Sequence, residues 1–225
     1  MSTSAPTAPR KVTLLDDVDW HWHGSLDFAA GDALNLRDAE ACATGAPPCV
    51  RLFTPAAAVL TLGRRVHDVA SAGLADTVAR CEAAEIAVLE VDRGGQATLH
   101  LPGQLVALIA VPCTRLQLTE LVDTLLDGAA AVARSHGLQP ERGAGLDTGL
   151  WLDGQKLASV GLRHQGGVAR HGLALNCAID PALSATLVLC GHRGRGYVDL
   201  RAAGRSSDLS AIVQELVSAW RLAAR

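Results

Sequence analysis

Apolar residues change their spacing several times along this chain, and each change marks an element. Residues 12–15 read as a short strand. Over 26–43, Leu26, Phe28, Ala29, Ala33, Leu34 and Leu36 fall in a broadly helical pattern that Gly45 closes. Residues 49–53 and 57–62 read as strands, 74–84 as a helix and 87–91 as a strand. A glycine-rich stretch follows from Asp92 to Gln104, with 96–99 strand-like inside it. Residues 105–111 then form a continuous apolar run of buried-strand length. The strongest helical signal covers 118–135, where Leu118, Leu121, Val122, Leu125, Leu126, Ala129 and Val132 recur every three or four residues before Gly137. Residues 148–152, 156–164 and 169–179 read as strands, and Asp153-Gly154 turns the first two into a hairpin. A last helix spans 206–224, with Ser207 as its cap and Leu209, Ile212, Val213, Leu216 and Trp220 as its stripe. Strands dominate the middle and helices flank them, without a repeat or a linker. The plan is α+β, one domain over 12–225 behind a flexible tail over 1–11.

Composition narrows the function. At 225 residues and 49% hydrophobic content the chain can bury a large core, built from Leu, Val, Ala and Ile because aromatics are only 3%. A net charge of −3 argues against nucleic acid and anionic membranes as partners. The first ten residues hold no apolar run that would serve as a secretory signal. The six cysteines show no CxxC spacing, so reduced thiols and a cytoplasmic location are expected. Among twenty Lys plus Arg only Lys11 and Lys156 are lysines. Arginine does not give up its proton near neutral pH, whereas a lysine does so when its surroundings lower its pKa; Lys156 is therefore a candidate for chemistry, alongside the plainer reading of a solvated hairpin lysine. Trp20-His21-Trp22-His23 offers too few ligands for a metal site and reads as a partly buried strand. Neither a metal nor a bound cofactor is expected.

Three segments hold residues suited to catalysis. Arg93-Gly94-Gly95-Gln96 follows a strand, but no helix opens after it, which excludes a dinucleotide fingerprint and a phosphate loop. Paired glycines allow close approach of the backbone to a ligand, and Arg93 and His100 lie near the same turn; an ordinary structural turn has the same appearance. In the second segment strict alternation puts Lys156 and Ala158 on one strand face and Ser159 and Gly161 on the other, unless a bulge intervenes. The next strand carries His171-Gly172-Leu173-Ala174-Leu175-Asn176, whose small residues leave room for an apolar ligand, although an ordinary half-buried strand has the same appearance. Third, Cys190 ends an apolar run and is followed by Gly191 and His192. A nucleophilic thiol needs partial exposure and a neighbouring cation, and spacing alone leaves Cys190, Cys177 and Cys113 in contention.

Taken in order, these segments resemble the lipoyl(octanoyl) transferase family of lipoate biosynthesis, within the biotin/lipoate A/B protein ligase superfamily. Its patterns have the form Arg-Gly-Gly-x-x-Thr-Tyr-His-Gly-Pro-Gly-Gln, a lysine strand, His-Gly-x-Ala-Leu-Asn and Pro-Cys-Gly. The likeness runs from about residue 58 to 191, and Thr61-Leu62-Gly63-Arg64 is similar to the family's opening segment. The resemblance implies a biotin/lipoate protein ligase-like mixed sheet flanked by helices, and an acyltransferase that moves an octanoyl group from octanoyl-acyl carrier protein, through a thioester on Cys190, to a lysine of apo lipoyl domains. Those acceptors belong to 2-oxoacid dehydrogenases or the glycine cleavage H protein. It gives Lys156 the role of lowering the Cys190 pKa. It assigns the acyl site to Arg93, Gly94, Gly95, Gln96, Ala97, Thr98, Leu99 and His100, to Ser159, Val160 and Gly161, and to Gly172, Leu173 and Ala174, with His171 and Asn176 in support. Three residues depart from the pattern: Leu99 for Tyr, Leu101 for Gly and Leu189 for Pro. An ATP-using lipoate ligase or amidotransferase on the same scaffold, and a non-catalytic binding relative, are the alternatives.

Overall fold

The computed structural model describes Leu15 and residues 17–66, 74–180, 183, 196–204 and 208–223; only the backbone is described at 146. The tail over 1–11, the strand expected at 12–14, Ser207 and the segment with Leu189, Cys190, Gly191 and His192 lie outside these residues.

Ten strands and four α-helices make up the described chain. The strands are β1 (Asp19–Leu26), β2 (Cys49–Pro55), β3 (Val59–Leu62), β4 (Ala87–Glu90), β5 (Ala97–His100), β6 (Gln104–Pro112), β7 (Glu141–Gly143), β8 (Gly149–Leu152), β9 (Gln155–Gln165) and β10 (Val168–Asn176). The helices are α1 (Phe28–Ala43), α2 (Leu74–Ala83), α3 (Leu118–Ser135) and α4 (Leu209–Ala223). Asp27 caps α1 by accepting from Ala30 N, and at the start of α4 the Asp208 side chain accepts from Ser210 N. The strands separate into a seven-stranded sheet, β1-β2-β6-β10-β9-β8-β7, and a three-stranded sheet, β4-β3-β5. The large sheet is antiparallel except for the β1–β2 pair, and β3 runs parallel to β4.

Alternation along the central strands sorts the core onto two faces. Leu105, Ala107, Ile109 and Val111 of β6 point to the face covered by α3 and α4, where Leu121, Leu125 and Trp220 are fully buried. Each such leucine contributes about 1.5–3 kcal/mol. Trp220 donates from Nε1 to Leu125 O and stacks on Trp20 of β1, so the first strand and the last helix hold each other. Val106 and Leu108 point to the opposite face, where they meet Phe28 of α1 and Phe53 of β2. The small sheet has its own core around Leu60, Cys81, Leu99 and Leu101.

β9 departs from simple alternation. Its register with β8 shifts between Leu150 and Trp151, which leaves Leu157 as a surplus residue. Leu157 and Ala158 both enter the core under α3. Lys156 and Ser159 consequently share the opposite face, where strict alternation had put Lys156 with Ala158.

Candidate active site

On the face opposite α3 a cavity of about 360 Å³, counted to its open mouth, lies between the two sheets. Arg93, Thr98 and His100 line it from the small-sheet side, and Ser159, Val160, Gly161, His171, Gly172, Leu173 and Ala174 line it from β9 and β10. Three residues absent from the sequence expectation complete it: Phe28, Val106 and Leu108. An apolar slot with a few convergent polar groups suits a small acyl chain. Gly94, Gly95, Gln96, Ala97 and Leu99 do not line it. The Gly95 and Gln96 carbonyls accept from Arg65 N and Gly63 N, Ala97 pairs with Leu62, and Leu99 is buried in the second core with its N–H directed to Tyr197 Oη.

The glycine-rich loop is held by its own backbone and by Arg93. Gly94 N donates to Leu162 O at 3.0 Å, and a Cβ on Gly161 would lie 2.9 Å from Gly94 O. The glycines therefore bring the loop against β9, where sequence reasoning had them approach a ligand. Arg93 is buried and donates to Gly94 O, Thr61 O and Thr61 Oγ1, while its Nε has no partner. Burial pushes its pKa down to about 10.

A hydrogen-bond relay links this loop to Lys156. Asn176 Nδ2 donates to Lys156 O (2.9 Å) and Val198 O (3.1 Å), which leaves Oδ1 to accept from Gln104 Nε2 (2.8 Å). Gln104 Oε1 then accepts from His100 Nδ1 at 2.7 Å. That order fixes the tautomer: His100 keeps a bare lone pair on Nε2, which is buried without a partner. Burial, with the nearby Arg93 charge, holds its pKa near 3, so the ring is neutral.

His171 is the most unusual residue of the site. It has φ of 62° in the middle of β10, a conformation that costs a residue with a Cβ about 1–2 kcal/mol. Its N–H donates to Asn35 Oδ1 (2.9 Å), while Asn35 Nδ2 donates to Ile109 O (2.7 Å). A fully buried helix residue thereby replaces the missing ladder partner. The twist sends the imidazole away from Ala169 and Leu173, onto the face of α1. There Nε2 donates to Asp92 Oδ1 at 2.7 Å, and Nδ1 lies 3.3 Å from Asp32. Burial lowers the His171 pKa against the pull of these carboxylates. Burial would raise Asp92, but the bonds from His171 and Arg170 outweigh it and hold the carboxyl low. Backbone strain held by a built network marks functional sites more often than passive walls.

Lys156 sits outside the lining, on the same face of β9 as Ser159. Its Nζ donates to Thr148 O at 3.2 Å and lies 4.4 Å from the Trp151 ring centre. Gly149, paired with Ser159, leaves it room, since a Cβ there would lie 3.1 Å from Nζ. Burial lowers the Lys156 pKa to about 8, within reach of proton transfer near neutral pH. Of the other thiols in contention, Cys177 is fully buried and pushed upward by that burial, and Cys113 is buried and raised for the same reason.

The lipoyl protein ligase A/B catalytic domain matches residues 33–218 of this sequence. The chain belongs to that family. Among curated relatives it is 35% identical to an octanoyltransferase of Rubrobacter xylanophilus over 72% of this chain and 73% of the relative. It is also 35% identical to one of Azoarcus sp., over 68% and 67%. Against an octanoyltransferase of Aromatoleum aromaticum, again 35% identical, the match covers 60% of this chain and only 58% of the relative's length. A lipoate-protein ligase A crystal structure bound with ATP shares the fold, with a TM-score of 0.73 at 14% identity over 92% of this chain and 85% of that one. So does Ta0514 of T. acidophilum, described as a putative lipoate protein ligase with bound lipoic acid, with a TM-score of 0.71 at 11% identity over 92% and 85%.

Two departures from the family pattern acquire a physical account. Leu101 is fully buried and is not among the residues with positive φ; the left-handed position of its turn is Gly103, at 83°, where a Cβ would lie 2.1 Å from Ala178 O. Leu99 packs in the same core, where Tyr197 Oη donates to Leu99 O. Leu189 lies outside the described residues.

Proposed function

We propose that this chain is an octanoyltransferase that takes an octanoyl group from octanoyl-acyl carrier protein and delivers it to a lysine of an apo lipoyl domain. The observation that supports this best is the convergence of three separated motif segments on one apolar cavity, with Lys156 on the same strand face as Ser159.

In the first step the Cys190 thiolate attacks the donor thioester carbonyl; the new S–C bond forms as the carrier thiolate leaves and takes the proton of the Lys156 ammonium, which is left as the neutral amine. An ammonium at Lys156 favours the thiolate, by about 1–3 pKa units for close opposite charges. In the second step the acceptor's neutral amine attacks the octanoyl-Cys190 carbonyl. The C–N bond forms, the Cys190 sulfur leaves as thiolate, and the amine's proton passes to a base. With its pKa near 8, Lys156 is suited to hold and return that proton. The acyl tail occupies the slot between Phe28, Val106, Leu108 and Ala174. The reaction needs neither ATP nor a resident cofactor. The five described cysteines are free thiols, in keeping with a reducing cytoplasmic setting, and no described helix is long and apolar enough to cross a membrane.

Intact-mass spectrometry after mixing with octanoyl-acyl carrier protein tests this reading. The expected result is one added octanoyl mass, absent in Cys190→Ser and discharged by apo lipoyl domain without ATP. A wild type that never acquires the mass, or an acceptor modified only when ATP is present, refutes it.

A further inference from the structure

A second groove lies beyond the cavity along β9. Arg64, Arg65, Arg115, Arg163 and His164 line it around Leu162, and it holds about 760 Å³ out to its open face. Among the described residues its wall has no acid, although the chain carries 23 acidic residues against 20 Lys plus Arg. Four guanidinium groups thus surround one hollow on a chain whose total charge has the opposite sign. Arg64, Arg65 and Arg115 are exposed. Arg163 donates from Nη2 to Gln165 Oε1 at 3.3 Å and has Asp92 at 3.8 Å, but Asp92 is already bonded to Arg170 and His171, and the Arg163 Nε is buried without a hydrogen bond. The short 3₁₀ turn Arg115–Gln117 also holds out Leu116, 92% exposed.

Groove and cavity share their walls. Gly161 faces the cavity and Leu162 and Arg163 the groove; Arg93 serves one and Gly94 the other. Seven positions of β9 separate Arg163 from Lys156, roughly 20–25 Å at strand rise. That is the order of an extended phosphopantetheine arm. Guanidinium forks bond the oxygens of a phosphate in bidentate fashion, and Leu116, next to Arg115, adds exposed apolar surface beside them.

We propose that this groove docks the donor: Arg64, Arg65, Arg115 and Arg163 receive the phosphodiester at the base of the carrier's phosphopantetheine and the acidic surface around it, and Leu116 packs beside them. The assignment rests on the reading of the chain as an octanoyltransferase. A lipoyl-domain acceptor carries no phosphate, so the groove belongs to the donor.

The test compares the full-length wild type with the Arg64→Glu/Arg115→Glu double variant. Binding of labelled octanoyl-acyl carrier protein is read by anisotropy at low and physiological salt. Turnover is read with the carrier and with octanoyl-N-acetylcysteamine, which has neither phosphate nor protein. The expected result is a rise of about tenfold or more in Kd and KM for the carrier, with kcat/KM for the small thioester and KM for the acceptor held within about twofold. Wild-type affinity should also fall as salt rises. Equal carrier affinity in the two proteins, or a rise confined to the acceptor KM, overturns the groove. Should the double variant not fold, Arg115→Ala carries the same comparison with an expected change of about threefold. A wild type that binds carrier but transfers octanoyl from neither thioester refutes the transferase reading, while the binding ratio still decides the groove.

Discussion

Replacing Asn35 by alanine should cost far more than the loss of one small polar side chain. Asn35 is fully buried in α1 and serves two main-chain groups at once, accepting from His171 N–H and donating to Ile109 C=O. Without it both groups stay buried with no partner, at about 1–3 kcal/mol each, or about 2–6 kcal/mol together. Relaxation of β10 out of the left-handed region at His171 would return about 1–2 kcal/mol. A net loss near 3 kcal/mol follows, readable as a fall in the urea midpoint at unchanged slope. Asn35→Leu makes the test specific. Leucine refills the space but leaves the same two groups stranded, so it should lose about as much as alanine. If leucine restores wild-type stability, the cost lay in the cavity and the account of His171 is wrong. The two variants should also weaken octanoyl-thioester KM in parallel, because the His171 imidazole loses its backbone anchor.

Four further outcomes can be checked. Phe28→Ala removes the aromatic wall of the cavity and should shift the preferred acyl chain to longer lengths, while costing about 3–5 kcal/mol of stability; an unchanged chain-length profile rules Phe28 out as a limiting wall. Gly103→Ala must accommodate a Cβ against Ala178 O at positive φ and should lose about 2–5 kcal/mol in thermal or urea unfolding. Leu101→Gly, which restores the family pattern, should destabilise by about 3 kcal/mol or more, since it empties a buried site without relieving strain; a gain in stability would contradict the conformation of that turn. Finally, Lys156 has its folded pKa lowered to about 8 from 10.5 by burial. Between those values the unfolded chain binds the extra proton, so stability from this group rises with pH, by up to roughly 3 kcal/mol. The difference in urea midpoint between wild type and Lys156→Met should track that rise, and a pH-independent difference would mean that the amine is not buried. The same variant should lose the ionisation near pH 8 from its acyl-transfer profile.

Much of this architecture could be read from spacing. The stripe over 118–135 coincides with α3, Leu118–Ser135, because its period and its stop signal agree, and the motif order locates most of the cavity lining. What escaped has identifiable causes. A bulge leaves no mark in composition, so nothing in the string distinguishes Leu157 as the surplus residue, and alternation put Lys156 on the wrong face. Asn35 carries no sign of burial in the string; its burial depends on a gap in a ladder 136 residues away in the chain. Positive φ is uncommon for any residue other than glycine, and nothing in the string marks His171 as one of the exceptions, so the twist was invisible. Separation of β3, β4 and β5 into a second sheet depends on long-range pairing that local patterns do not encode.

The first helix acts as a lever with three loads. Phe28, Asp32 and Asn35 are spaced four and three residues apart, on one side of a rigid rod. The first is stacked on His100 at the wall of the cavity, the second faces His171 Nδ1, and the third carries the twisted backbone. A displacement of that rod by a fraction of a turn would change the depth of the slot and the aim of the imidazole together, so the two cannot be tuned independently. Relatives that accept acyl chains of another length should therefore differ along this whole side of the helix, and transplanting one residue from them should disturb the histidine as well as the pocket.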